Sequence, residues 1–210
     1  MKFEYLHRYA IAARLVSGKD VLNISSGGDG YGSRMLARAA SSVIELYVGQ
    51  DVAGYAIGAH ADVANLRFLN GSSGDIPVDD HSVDVVATFE ALDVQAGHDQ
   101  ILKQIKRVLR PGGLLLFAAM NTSLASGDAS IQQSLNMKAV GFAALSQLLQ
   151  SHFQHVEVYA QRANMASFIY PFEFDGHAQP LQYAQEFGQQ DAPQSGPDAA
   201  LYYFAVASDE

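Results

Sequence analysis

Apolar residues in this chain fall into short runs separated by stretches with helical spacing. The runs that open at Val21, Val43, Leu66, Val83 and Leu114 are too short for helices and are bounded by small or polar residues. Such runs read as strands buried on both faces. Before the first run, Phe3 to Val16 reads as a helix with Phe3, Leu6, Ala10, Ala13 and Leu15 on its apolar side, ending at Ser17-Gly18. Tyr55 to Ala64 reads as another. Ile101, Leu102, Ile105, Val108 and Leu109 then recur at helical spacing, while Lys103, Lys106, Arg107 and Arg110 face away as a solvated basic face. Pro111-Gly112-Gly113 stops that helix, and Leu114 to Ala119 follows as the fifth strand. Strands alternating with helices predict a parallel sheet with right-handed crossovers.

After Asn121 the pattern changes. Residues 122–136 are small and polar and read as a loop with a short helix. Phe142, Leu145, Leu148 and Leu149 mark a further helix, and Val156 to Gln161 a strand. The segment 163–199 holds Phe168, Tyr170, Phe172, Phe174, His177 and Tyr183, then a Gln-rich run with Gly and Pro. Leu201 to Ala207 reads as a last strand. Neither a repeat nor a second domain is apparent, so 1–210 reads as one α/β domain.

Composition narrows the classes. The chain has 210 residues, 49% of them hydrophobic, which suits a globular domain with a full core. A net charge of −9 argues against nucleic acid as a partner, because phosphate binding needs a basic footprint. With no cysteine there is no disulfide framework, thiolate nucleophile or cysteine zinc cluster, and no metal site is expected. Glu4, His7, Arg8 and Arg14 fit no signal peptide, and no run approaches the roughly 18 apolar residues of a membrane span. The expectation is a soluble, cytoplasmic protein.

The chemistry concentrates where the first run meets small residues, in Val21-Leu22-Asn23-Ile24-Ser25-Ser26-Gly27-Gly28-Asp29-Gly30-Tyr31-Gly32-Ser33. A strand, a glycine turn and a helix start in that order make a nucleotide cradle, because glycine admits positive φ and lets a ligand approach the backbone. Gly27, Gly28 and Gly30 are the candidate cradle residues. The second strand ends at Gly49-Gln50-Asp51, about 20 residues on, where Asp51, with Val52 beside it, can take a ribose hydroxyl pair. The plainer readings are an ordinary turn and a helix N-cap.

Three later segments complete a pattern: Asn65 to Ser72, Asp75 to Val86, and Ile105-Lys106-Arg107-Val108-Leu109-Arg110-Pro111-Gly112-Gly113-Leu114. Together with the glycine turn, and over roughly Val21 to Asn121, they resemble the class I S-adenosylmethionine-dependent methyltransferases. That resemblance implies a Rossmann-like seven-stranded sheet of order 3-2-1-4-5-7-6 with the last strand antiparallel and helices on both faces. It implies S-adenosylmethionine as cofactor and residues 1–18 as a helix covering its methionine end, with Tyr5 and Arg8 placed to bind the carboxylate. It also places Ser72 and Ser73 at the adenine, Phe89 and Glu90 at the methionine moiety, and 163–199 as a family-variable insertion. The sequence departs from the family at Asn23, where an acid is usual, at Ser25, where glycine is frequent, and at Ser72, where Asp is frequent.

Methyl transfer needs little covalent help, since the cofactor brings the activated carbon. A general base is required only when the acceptor must lose a proton. Asp93 and His98, in the stretch after the fourth strand, are the nearest candidates, and His177 is a third residue that fits an acceptor lid or a plain loop equally. Two functions follow: methyl transfer to a small intracellular acceptor, or a methyltransferase-like partner or sensor that binds cofactor weakly or not at all. A nicotinamide oxidoreductase fits worse, because Gly28-Asp29-Gly30-Tyr31-Gly32-Ser33 is not G-x-G-x-x-G.

Overall fold

The computed structural model describes residues 3–25, 28–48, 54–72, 74–89, 98–121, 141–163, 167–171, 181–183, 200 and 202–210. Its helices are α1 (Phe3–Leu15), α2 (Tyr31–Ala37), α3 (Gly54–Ala59), α4 (His98–Val108) and α5 (Phe142–Gln150). Its strands are β1 (Asp20–Ser25), β2 (Ser42–Val48), β3 (Leu66–Gly71), β4 (Val83–Phe89), β5 (Leu109–Met120), β6 (His155–Ala163), β7 (Ser167–Pro171), β8 (Leu181–Tyr183) and β9 (Tyr202–Ser208).

The strands form a nine-stranded sheet of order β3-β2-β1-β4-β5-β9-β6-β7-β8. Its first seven positions are the expected 3-2-1-4-5-7-6 arrangement. β1 to β5 run parallel, and β9 lies antiparallel between β5 and β6. The sequence-based reading placed a variable insertion before the last strand. Within it, β7 and β8 continue the sheet beyond β6 as antiparallel strands.

The central strands β1, β2, β4 and β9 bury both faces, which is why their runs are mostly apolar, while β3 is only partly covered. Leu22, Ile24, Ile44, Leu46, Val86 and Leu115 face α4 and α5, where Ile101, Ile105, Leu145 and Leu149 cover them. Val21, Val43, Val85, Ala87, Phe89 and Phe204 face α1 and α2, against Tyr9, Ala12, Val16 and Leu36.

Three expectations need correction. The buried stripe of α1 is not Leu6, Ala10, Ala13 and Leu15: His7, Arg8, Tyr9, Ala12 and Val16 are buried, and Leu15 is exposed. The helix turns its large polar side chains inward because partners await them, including Gln161 for Arg8 and Asn23 for Tyr9. Secondly, the basic side of α4 is not simply solvated. Lys103 pairs with Asp99, Lys106 with Asp209, and Arg107 with Asp80 and the Ile76 and Val78 carbonyls; Arg110, which falls in β5 and not in the helix, pairs with Asp20 and Asp84. Thirdly, the helix gives way to β5 at Leu109, before Pro111. Val83 pairs with Leu109 and Val85 with Leu114, so Pro111-Gly112-Gly113 bulges out of a strand already begun, with Gly112 at φ +70°.

Behind α2, Asn65 donates to the carbonyls of Ala37 (2.9 Å) and Ala40 (3.1 Å), closing the C-terminal end of that helix. Asn65→Ala is expected to cost about 1 kcal/mol, lowering Tm by roughly 2–4 °C in a thermal melt.

Candidate functional site

β1 ends at Ser25, and the chain turns through glycines before α2 begins at Tyr31. Gly28 and Gly30 have φ of +121° and +76°, a region that glycine enters without strain. Gly28 is exposed, and a methyl group built on it would meet nothing within 4 Å. Gly30 is covered: a methyl group there would crowd Phe68 (2.9 Å) and His60 (3.0 Å). His60 Nε2 lies 2.6 Å from the Asp29 carbonyl, and the Tyr47 hydroxyl donates to the Gly28 carbonyl at 3.2 Å. The bend is therefore pinned on its β2–β3 side and open at Gly28. Gly30→Ala is expected to cost about 1–2 kcal/mol, measured by chemical denaturation, since it forces alanine into the left-handed region against two rings.

Beneath the bend lies a polar cluster on the face of the sheet toward α1 and α2. Asn23 on β1 stands level with Glu45 on β2 and with Ala87 on β4, and Glu45 stands level with Phe68 on β3. Glu45 is 2% exposed. Its Oε1 accepts from the Ser25 hydroxyl, and its Oε2 from the Ser33 hydroxyl and, at 2.7 Å, from Asn23 Nδ2. Ser25 precedes the bend and Ser33 follows it, so one carboxyl ties both ends. Burial pushes the Glu45 carboxyl above its usual range, and the three donors pull against that shift.

The cluster continues into α1. Asn23 Nδ2 lies 2.9 Å from the Tyr9 hydroxyl, which lies 3.0 Å from that of Tyr5. Tyr9 meets Tyr5 and Phe89 edge-on, with ring centroids 4.8 and 5.0 Å apart. Its ring covers Gly32 so closely that a methyl group there would overlap it. Burial, with Tyr5 and Glu45 nearby, holds the Tyr9 phenol well above its ordinary range, so it stays protonated and able to donate. Arg8 looks the other way: Nε donates to Gln161 Oε1 at 2.7 Å and the guanidinium lies 4.1 Å from the Tyr202 ring centroid.

The structure thus brings Tyr5, Asn23, Ser25, Gly28, Gly30 and Phe89 together at the carboxyl ends of β1 and β4. Arg8 lies on the same helix, turned toward β6 and β9. Ser72 sits apart at the exposed end of β3, paired through its backbone with Asp75. Gly27, Asp51, Val52, Ser73, Glu90, Asp93 and His177 fall outside the described residues, and His98 is described only as the first residue of α4. Sequence reasoning missed Glu45 and Tyr9. A charged residue at the centre of an apolar strand was the available signal for the first. The second had none beyond its spacing from Tyr5.

The family model for the methyltransferase domain matches residues 22–117. The chain is 28% identical over 150 residues to a protein of Mycolicibacterium smegmatis named a probable S-adenosylmethionine-dependent methyltransferase, covering 71% of this chain and 57% of that one. It is 30% identical over 154 residues to the fatty-acid O-methyltransferase of the same organism, covering 65% and 55%. The chain spans about half the length of these curated relatives. Among solved structures, a SAM-dependent methyltransferase from Thermotoga maritima superposes with a TM-score of 0.67 at 15% identity, covering 99% of this chain and 90% of that one.

Proposed function

We propose that this chain is a class I S-adenosylmethionine-dependent methyltransferase, as the match of the methyltransferase domain model to residues 22–117 supports, and that it binds S-adenosylmethionine at the glycine bend and directs methyl transfer to a small acceptor. The supporting observation is where the bend lies. It leaves the carboxyl end of β1, next to the point between β1 and β4 where the strand order reverses. Open α/β sheets bind ligands in that crevice. The residues present suit the cofactor: an open glycine backbone at Gly28, a buried carboxyl beneath, and an aromatic cover from α1.

When bound, the cofactor supplies an activated carbon and a neutral leaving group. The chain's residues bind, orient and keep water out. Gly27 and Gly28 let the backbone approach the ligand, Gly30 shapes the turn under Phe68 and His60, and Asn23 and Ser25 lie beneath. Asp51 and Val52 hold the ribose, and Ser72 and Ser73 the adenine. Tyr5, Phe89 and Glu90 close the methionine end, while Arg8, expected there from the sequence, is turned to Gln161 and the Tyr202 ring and is not part of it. Where the acceptor is a hydroxyl, Asp93 or His98 takes its proton. The aromatic run from Phe168 to Tyr183 forms part of the acceptor wall. Similarity to a fatty-acid O-methyltransferase supports an apolar acceptor. We place the protein in the cytoplasm as one domain over 1–210, acting on a small molecule and not on nucleic acid or a membrane.

One observation favours a second reading, a methyltransferase-like partner or sensor with weak or no cofactor binding. The side chains of Asn23 and Ser25 are both engaged with Glu45 inside the protein. Calorimetry with S-adenosylmethionine, S-adenosylhomocysteine and NADH separates the readings. Binding of the first two supports the methyltransferase, and no heat from any favours the second reading. Heat from NADH alone overturns both.

A further inference from the structure

Glu45 is the only acidic side chain buried among the described residues. No packing demand explains it: its neighbours across the sheet are Asn23 and Phe68, and the alternate positions on β2 toward the same helices are Val43 and Tyr47. A carboxyl taken out of water costs free energy unless it is hydrogen-bonded, and an isolated charge costs far more. Here three donors converge on it, one at each end of the glycine bend and one on β1. The arrangement keeps an ionisable acid under the bend at one fixed position.

A fixed carboxyl in a low-dielectric setting acts on the charge of whatever the bend holds. The two cofactor forms differ in that respect. S-adenosylmethionine carries a sulfonium cation, which the thioether S-adenosylhomocysteine lacks, and their adenosyl and amino-acid groups are alike. Building on the cofactor reading above, we propose that Glu45 is a specificity-determining residue that favours the sulfonium form of the cofactor over its neutral thioether product. It acts through the charge it holds beneath the bend, and Ser25, Ser33 and Asn23 keep that charge in place. The consequence is release of spent cofactor, since loss of the methyl group removes the positive charge that the carboxylate stabilises.

Glu45→Gln tests this without dismantling the site. The amide is isosteric, its oxygen can accept from Ser33 and Asn23, and its NH2 can donate to Ser25. Calorimetry with both ligands on the native and variant proteins gives the selectivity directly. The expected result is a roughly tenfold loss of S-adenosylmethionine affinity, about 1.4 kcal/mol, with S-adenosylhomocysteine changed less than twofold. Equal losses for both ligands overturn the proposal and leave Glu45 as a support for the bend. No binding of either ligand to native protein removes the cofactor reading, and the proposal with it.

A pH series adds a readout that a support role would not move. Other titratable groups facing Glu45 are Tyr9 from α1, Tyr47 on its own strand and His60 between α3 and β3, with Asp29 in the bend near Tyr47. A cation prefers the ionised carboxyl, so the native affinity ratio for the sulfonium form should climb as pH rises through the titration of Glu45. In Glu45→Gln that part of the climb disappears. A slope unchanged by the substitution counts against Glu45. Ser33→Ala, which keeps the charge and removes one donor, should lower both affinities together.

Discussion

Gly32→Val is expected to unseat α1, costing roughly 3 kcal/mol of stability and lowering Tm by roughly 6–12 °C. Gly32 lies within α2, where any residue can adopt the backbone, so its lack of a side chain answers to packing and not to a turn. The Tyr9 ring lies against it, held from behind by Phe89 and at its hydroxyl by Asn23. A ring fixed on both sides cannot give way cheaply. If α1 covers the cofactor, binding must then bear the cost of restoring the displaced helix, and affinity for S-adenosylmethionine should fall about a hundredfold. Tyr9→Leu in the same protein makes room and should recover part of the stability. An affinity unaltered by Gly32→Val would detach α1 from the cofactor site.

Glu45→Ala is the second large effect, roughly 3 kcal/mol by chemical denaturation. It removes the acceptor for two buried hydroxyls and an amide and leaves a hollow under the bend. The isosteric Glu45→Gln separates charge from hydrogen bonding. Burial raises the folded-state value of this carboxyl above its ordinary 4.5, so the folded protein holds the proton more tightly than the unfolded chain. Its contribution to stability is complete below the unfolded value and is lost as pH climbs through the folded one. Glu45→Gln has no such proton. Its stability relative to native protein should therefore improve with pH over that window. A constant difference between the two would show that the carboxyl is no more costly to ionise when folded than when unfolded.

Much of the sheet could be read from the sequence because a doubly covered strand is an uninterrupted apolar run. The runs that open at Leu66 and Val83 begin β3 and β4 at those residues, those at Val21 and Val43 begin one residue inside β1 and β2, and β5 starts five residues before Leu114. The glycine bend was legible for a related reason, since few residue types tolerate its backbone. What escaped were features fixed by contact between distant residues. Glu45 meets hydroxyls 20 and 12 positions earlier in the chain, a spacing set by the sheet and helix and not by any local period. The inward face of α1 was misread because periodicity ranks leucine and alanine as core and arginine as surface. Arg8 reverses that order, being fully buried against Gln161, 153 positions away. β7 and β8 were missed as strands because the aromatic segment carries no clean alternation.

The placement of β9 governs the order in which the molecule can assemble. A ribosome delivers β1 to β5 first, and their parallel pairings need only segments already made. β6, β7 and β8 can pair with one another but reach the rest of the sheet only through Tyr202–Ser208, which pairs with Leu115–Met120 on one side and His155–Gln161 on the other. Joining the two halves therefore waits for a segment emerging more than 80 positions after β5, a late closure whose entropy cost falls on one strand. Until then two sheet margins stand bare, each a template for mispairing. Residues 202–208 act as the keystone of this arch, and a nascent chain halted just short of them would be the form most in need of chaperone protection.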